Sequence, residues 1–305
     1  MSDDSVGDNL LEIAGPRTRT LELATRALRP LLWAISPRID GFENIPPRGP
    51  VLFVGNHTLV FMADYTIMML ELYRRRAVTI WSVADHFHYG VPGWRDLLMA
   101  NGAIDGTYEN CKQVLEAGEN LVVFPGGARE VTKRRGEKYK LIWGERKGFA
   151  RLAIDAQATV VPFGAVGGDD IFDVMVDGDT IMKTPAGDQL DKIFERLGLT
   201  VDAYLPPVFK GVGPTFIPRF QRLYYQFGDP ISPARFAGRV DDEDAVEEFR
   251  DDIADGVERA IQTALKARED DDESTFVSRM SRRAGSLLDT FGIARSGSDA
   301  QARQG

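Results

Sequence analysis

Four apolar residues in a row, Val51-Leu52-Phe53-Val54, follow the turn-rich stretch Glu43-Asn44-Ile45-Pro46-Pro47-Arg48-Gly49-Pro50 and stop at Gly55. A short apolar run bounded by Pro and Gly predicts a buried strand. Comparable runs at residues 78 to 83, 121 to 124, 159 to 165 and 223 to 227 predict further strands. Helical spacing of apolar positions predicts helices near 64 to 76, 107 to 117 and 147 to 156, between those strands. Alternation of this kind implies an α/β fold, a mixed and largely parallel sheet covered by helices.

The flanks carry a different pattern. Residues 17 to 38 combine Arg17, Arg19, Arg26, Arg29 and Arg38 with Leu21, Leu28, Leu31, Leu32 and Trp33, a basic amphipathic stretch interrupted by Pro30. Such a stretch either lies on a membrane or packs on its own domain. From 168 to 218 the periodicity weakens into Asp, Gly and Pro with short apolar runs, as in an insertion or cap. Residues 244 to 268 read as a long acidic-faced helix, and Glu269-Asp270-Asp271-Asp272-Glu273 as a solvated linker. Beyond it, Phe276, Met280, Leu287, Leu288 and Phe291 recur at helical spacing beside Arg279, Arg282 and Arg283, a second candidate interfacial helix, and residues 296 to 305 read as disordered. The expected organisation is a polar tail and amphipathic helix over 1 to 40, a main domain over 41 to 235, and an acidic helix, linker and basic amphipathic tail over 236 to 305.

Composition adjusts this picture in three ways. A chain of 305 residues with 43% hydrophobic content can bury a large core. The net charge of −9 is uneven: residues 241 to 273 hold 15 acidic and 4 basic groups, which leaves a mildly basic body. One cysteine, Cys111, excludes an intrachain disulfide and fits a reducing compartment. The first fifteen residues lack a signal pattern and no apolar run approaches roughly eighteen residues, so an unprocessed protein without a membrane span is expected.

The chemistry sits at two strand ends. Asn56-His57 follows the first strand, with Asp64 downstream to orient an imidazole. Pro125-Gly126-Gly127-Ala128-Arg129-Glu130 follows the third. Together they predict one active-site rim on the sheet edge. His86 and His88 have no further histidine or second cysteine to complete a zinc set, so no metal is expected. A Gly-x-Ser-x-Gly elbow, a phosphate-binding Gly-x-x-x-x-Gly-Lys loop and a Gly-x-Gly-x-x-Gly turn are all absent from the sequence, and Cys111 lies in a helical pattern. A base without its own nucleophile suits transfer of an activated group to a substrate hydroxyl.

In order along the chain, Gly41-Phe42-Glu43-Asn44-Ile45-Pro46, residues 51 to 57, Gly102-Ala103-Ile104, residues 124 to 130, Lys138-Tyr139-Lys140-Leu141, Arg146-Lys147-Gly148-Phe149-Ala150 and Val160-Val161-Pro162-Phe163 are similar to the lysophospholipid acyltransferase superfamily. The likeness covers roughly residues 40 to 235 and is nearest to the monoacylglycerol and diacylglycerol acyltransferase-like branch. It implies that His57 deprotonates an acceptor hydroxyl, which attacks the thioester of acyl-CoA or an acyl carrier protein, while Asp64 holds the imidazole. No other cofactor is implied. Gly126 and Gly127 would offer N–H groups to the oxyanion, and Arg129 would bind a phosphate or carboxylate or pair with Glu130; Asn56 and Pro125 complete the expected substrate-binding rim.

Two departures from the family pattern carry consequences. Six residues separate His57 from Asp64 where the family has four. On a continuous helix that spacing puts them about 10.5 Å apart along the axis, so contact requires His57 to lie outside the helix or the segment to bulge. Where phosphate-acceptor members supply an arginine, Ile104 is followed here by Asp105-Gly106-Thr107-Tyr108, which points away from a lysophosphatidate acceptor. The basic loop Lys133, Arg134, Arg135, Lys138 and Lys140 is either a solvated surface or a contact for coenzyme A phosphates or lipid headgroups. The resulting expectation is a cytoplasmic enzyme, peripheral on the inner face of a membrane, with an acyl-thioester donor and a lipid or glycolipid acceptor and no nucleic-acid partner. A lipid esterase or thioesterase, and a non-catalytic lipid-binding module, are the alternatives.

Overall fold

The computed structural model describes residues 18–59, 62–84, 102–185, 187–196 and 199–290. His86 and His88, and the tail from 291 to 305, lie outside the described residues. A seven-stranded sheet forms the centre, in the order β1-β9-β6-β2-β5-β3-β4. Its strands are β1 (Arg38–Asp40), β2 (Val51–Gly55), β3 (Trp81–Ala84), β4 (Ala103–Asp105), β5 (Leu121–Val123), β6 (Thr159–Val166) and β9 (Tyr224–Phe227). Every pairing is parallel except β6 with β9, so the sheet is mixed and largely parallel.

The central strand shows why its sequence is apolar throughout. Leu52 and Val54 belong to the cluster on one face, with Val114, Leu115, Phe149 and Phe249. Val51 and Phe53 belong to the cluster on the other, with Leu32, Ile67, Met68 and Leu72. A parallel strand covered on both sides must be hydrophobic at successive positions. The first face is covered by α4 (Tyr108–Glu116), α6 (Gly148–Asp155) and α10 (Glu243–Glu269), the second by α2 (Arg29–Ile35) and α3 (Met62–Arg76). A further helix, α1 (Thr18–Ala27), sets its buried Leu21 against Met69 and Leu70 of α3.

Helix α10 is acidic only outward. Val246, Phe249, Ile253, Val257, Ile261 and Ala264 form a buried stripe at helical spacing. The helix lies so close to β6 that a Cβ on Gly164 would stand 2.4 Å from the Ile261 nitrogen. Helix α10 is thereby part of the same core as the sheet.

Residues 168 to 218 hold a two-stranded antiparallel sheet of β7 (Asp173–Val176) and β8 (Val208–Lys210), with the short helices α7 (Gly178–Met182), α8 (Gly187–Arg196) and α9 (Val201–Tyr204) between them. One more short helix, α5 (Gly127–Val131), leaves β5 through the double glycine, and α11 (Phe276–Thr290) closes the described chain. Among the described residues no helix is long and apolar enough to cross a membrane.

Candidate active site

Strands β2, β5 and β6 are parallel neighbours in register, Val54 opposite Val123 and Pro162, so the segments leaving them share one edge of the sheet. That edge carries both chemistry-bearing clusters.

Asn56 extends the β2–β6 pairing with its side chain. Its Nδ2 donates to the Ala165 carbonyl (2.9 Å) and its Oδ1 accepts from the Ala165 N–H (2.8 Å). His57 comes next, in the loop between β2 and α3, and its Nδ1 lies 3.2 Å from Asp64 Oδ2. The Asp64 side chain is 3% exposed and the His57 side chain 13%. The six-residue gap is accommodated because the helix starts only at Met62: Asp64 sits in its first turn and the preceding loop folds back over it. Thr58 fastens that fold through its N–H (3.0 Å) and hydroxyl (2.9 Å), both donating to Asp64 Oδ2. The Tyr225 hydroxyl holds the Asp64 carbonyl at 2.7 Å. With Nδ1–H donating to the carboxylate, Nε2 carries the basic lone pair. The imidazole stacks on Phe124, ring centroids 4.3 Å apart.

The second cluster turns sharply out of β5. Gly127 has φ of +51°, and its N–H donates to the Phe124 carbonyl at 2.9 Å. One nitrogen of Arg146, Nη1, donates to the carbonyls of both Pro125 and Gly126 at 2.7 Å. Glu130 is buried and bridges two loops: Oε2 accepts from the His57 N–H (2.8 Å) and Oε1 from the Ile142 N–H (2.9 Å). Burial pushes the Glu130 carboxyl above the ordinary glutamate range, against the N–H groups of His57 and Ile142 and the Lys133 charge, which favour ionisation.

Several expectations need correction. Asn56 and Glu130 are fully buried, and their side chains are engaged with backbone groups of neighbouring segments. Arg129 makes a bidentate pair with Glu137 (3.0 and 2.7 Å), not with Glu130. The Gly127 N–H is engaged within its own turn, donating to the Phe124 carbonyl. The basic loop is partly consumed by internal contacts, while Arg135 and Lys140 are exposed. Lys133 is buried against Asp169, Arg134 pairs with Asp179, Arg135 donates to the Val174 carbonyl and Lys138 pairs with Asp170. Sequence reasoning missed Thr58, Glu137 and Asp169 as site-building residues, because each acts on a partner whose identity the folded chain alone reveals. Among the described residues no three His, Cys, Asp or Glu side chains are grouped as a metal site.

A family model described as Acyltransferase matches residues 36–166, which include both strand-end clusters. The matched segment is an acyltransferase domain of the lysophospholipid acyltransferase superfamily. It is 32% identical over 260 residues to phytyl ester synthase 1, chloroplastic, of Arabidopsis thaliana, a match covering 79% of this chain and 36% of that protein. It is 34% identical over 143 residues to the DGAT1/2-independent enzyme synthesizing storage lipids of Homo sapiens, covering 44% of each. The chain thus spans about a third of the length of the phytyl ester synthase and under half of the storage-lipid enzyme. Among solved structures it is similar to the 1-acyl-sn-glycerophosphate (LPA) acyltransferase of Thermotoga maritima, at 17% identity and a TM-score of 0.49 over 82% of this chain and 80% of that one.

Proposed function

We propose that this chain is an O-acyltransferase that moves a fatty acyl group from a thioester, acyl-CoA or acyl carrier protein, to the hydroxyl of an apolar lipid acceptor. The observation that carries this reading is the imidazole of His57, oriented by Asp64 at 3.2 Å, on a loop whose Thr58 hydroxyl is itself engaged with Asp64. Nε2 takes the proton of the acceptor hydroxyl as its oxygen attacks the thioester carbonyl carbon. The tetrahedral intermediate then collapses, the C–S bond breaks, and the departing thiolate takes the proton from the imidazolium. Asp64 stabilises that imidazolium and keeps the productive tautomer. The products are an ester and a free thiol, and the step calls for no metal or further cofactor.

Neutral acceptors, a long-chain alcohol or a diacylglycerol, fit better than a lysophosphatidate. Asp105 stands at the end of β4, where phosphate-acceptor members carry arginine, and the relatives are named for phytyl esters and storage lipids. An acceptor of this kind resides in a bilayer, so the enzyme works as a peripheral protein at the cytoplasmic face of a membrane.

The test is acyl transfer from acyl-CoA or acyl carrier protein to phytol and to diacylglycerol in mixed micelles, with free fatty acid measured in parallel. The full chain is expected to form ester, and folded His57→Ala to lose about two to four orders of magnitude in rate. Fatty acid release that ignores the acceptor would mark a thioesterase. Turnover by His57→Ala close to that of the parent would remove the base from His57.

A further inference from the structure

Residues 57 to 59 have no ladder or helix to hold them, yet their backbone groups are bound one after another by side chains. The His57 N–H donates to Glu130, the Thr58 N–H to Asp64 and the Leu59 N–H to Asp169 Oδ1 (3.0 Å). The His57 carbonyl accepts from Lys133 Nζ at 2.7 Å. The same ammonium donates to Asp169 Oδ2 at 2.8 Å, and both side chains of this pair are 0% exposed. Asp169 also accepts from the Tyr139 N–H at 2.9 Å, so it ties the loop after His57 to the loop that carries the basic run.

A buried ion pair is weak evidence for stability, because desolvating two charges offsets most of their attraction. A pair of nonpolar side chains would fill this space at little or no loss. What such replacements cannot do is donate to the His57 carbonyl or accept from the Leu59 N–H. Resting on the acyltransferase reading of His57, we propose that Lys133 and Asp169 are positioning residues that fix the backbone of the base-bearing loop, so that presentation of the imidazole depends on the docking of the segment beginning at residue 168.

The geometry gives the pair a leverage that its distance from the chemistry conceals. Asp169 lies in the 3-10 turn Gly168–Asp170, directly after the long central strand β6. Lys133 lies just past α5, the helix that follows the double glycine. A shift at the end of α5 therefore reaches the His57 carbonyl through the Lys133 side chain, and a shift of the 3-10 turn reaches the Leu59 N–H through Asp169. A loop relaxed by about 1 Å places Nε2 out of line with the reacting hydroxyl, enough to lower a rate by about 100-fold.

The experiment compares the full chain with Lys133→Met, Asp169→Leu and the double variant Lys133→Met/Asp169→Leu. Thermal unfolding, kcat, KM for the acyl donor, and amide hydrogen exchange of His57, Thr58 and Leu59 are measured for each. The single variants strand a buried partner and are expected to unfold more readily. The double variant is expected to recover most of the melting temperature. In it, exchange at residues 57 to 59 should still be about tenfold faster, and kcat about 10- to 100-fold lower with KM within a factor of three. A double variant with parental exchange and parental kcat overturns the proposal, as does a loss of kcat that merely tracks the unfolded fraction. If the parent protein transfers no acyl group, the acyltransferase reading fails on its own and the exchange measurement alone decides whether the pair holds the loop.

Discussion

Two adjacent glycines in the loop after β5 do different work. A Cβ on Gly126 would lie 2.1 Å from the Glu130 Cγ and Cδ atoms, whereas one on Gly127 would meet only Arg146 Nη1, at 3.6 Å. Gly126→Ala must therefore displace Glu130 and release the His57 N–H, while Gly127→Ala meets open space and costs about 1–2 kcal/mol for its left-handed backbone. The expected ranking is that Gly126→Ala loses at least about tenfold more acyl-transfer rate than Gly127→Ala, since misplacement at a reacting centre reaches about 100-fold. Steady-state kinetics on the two folded proteins checks it, and the reverse order would mean that Glu130 does not hold the His57 loop. His57 and the glycines are legible in the sequence because they stand at strand ends. The partner of Glu130 is not, since it is a backbone N–H 73 residues away.

At the scale of elements, the contact between α10 and β6 at Gly164 is a close approach of helix to sheet, and it has a direct energetic consequence. A methyl group on Gly164 would fall within 2.4 to 2.7 Å of backbone atoms of Ala260 and Ile261, which no side-chain rotation can relieve. Gly164→Ala is expected to destabilise the fold by about 1–3 kcal/mol through overpacking. Gly148→Ala, in the first turn of α6 with nothing within 4 Å of the added carbon, is expected to be neutral or stabilising by up to about 1 kcal/mol. Denaturant midpoints at constant m-value measure both. Equal midpoints for the two variants would mean that α10 can lift off the sheet. Apolar periodicity located β2, β5, β6, β9 and the long helices, although the run at 78 to 83 begins as a strand only at Trp81. It passed over β1 (Arg38-Ile39-Asp40) and β4 (Ala103-Ile104-Asp105), because each carries a charged residue and forms no apolar run like that of β5.

Across the whole molecule, α2 and α11, from the two segments read as membrane-facing or packed on the domain, touch one another. Arg279 is buried and donates to the Ala34 carbonyl, and Arg283 stacks over Trp33 at 4.3 Å and donates to its carbonyl. Two of the three arginines of α11 thus serve internal packing, and Arg282 is paired with Glu273. The exposed apolar surface lies next door. Phe220 packs on Phe276 of α11, and the preceding loop leaves Phe216 75% and Ile217 58% exposed, with Trp33 and Val277 also outward. Large side chains held out into water favour a bilayer boundary, where their burial contributes about 25 cal/mol per Å². Phe216→Ser/Ile217→Ser is expected to lower co-sedimentation with anionic vesicles severalfold while leaving the circular dichroism spectrum and melting temperature unchanged. If the double variant binds vesicles as the parent does, the attachment lies elsewhere on the chain.

Strands β2, β5, β6 and β9, their burial, and the strand-end placement of His57 and the double glycine follow from the sequence by itself, because each depends on a residue's own chemistry and its near neighbours in the chain. Tertiary structure alone decided that Asp64 reaches His57 across a six-residue gap, that Arg129 pairs with Glu137, and that Lys133 lies beneath the imidazole loop and not in solvent. Those outcomes depend on which polar group meets which after the helices and strands have packed, and a charged side chain reads the same in sequence whether it faces water or a buried carboxylate 36 residues away.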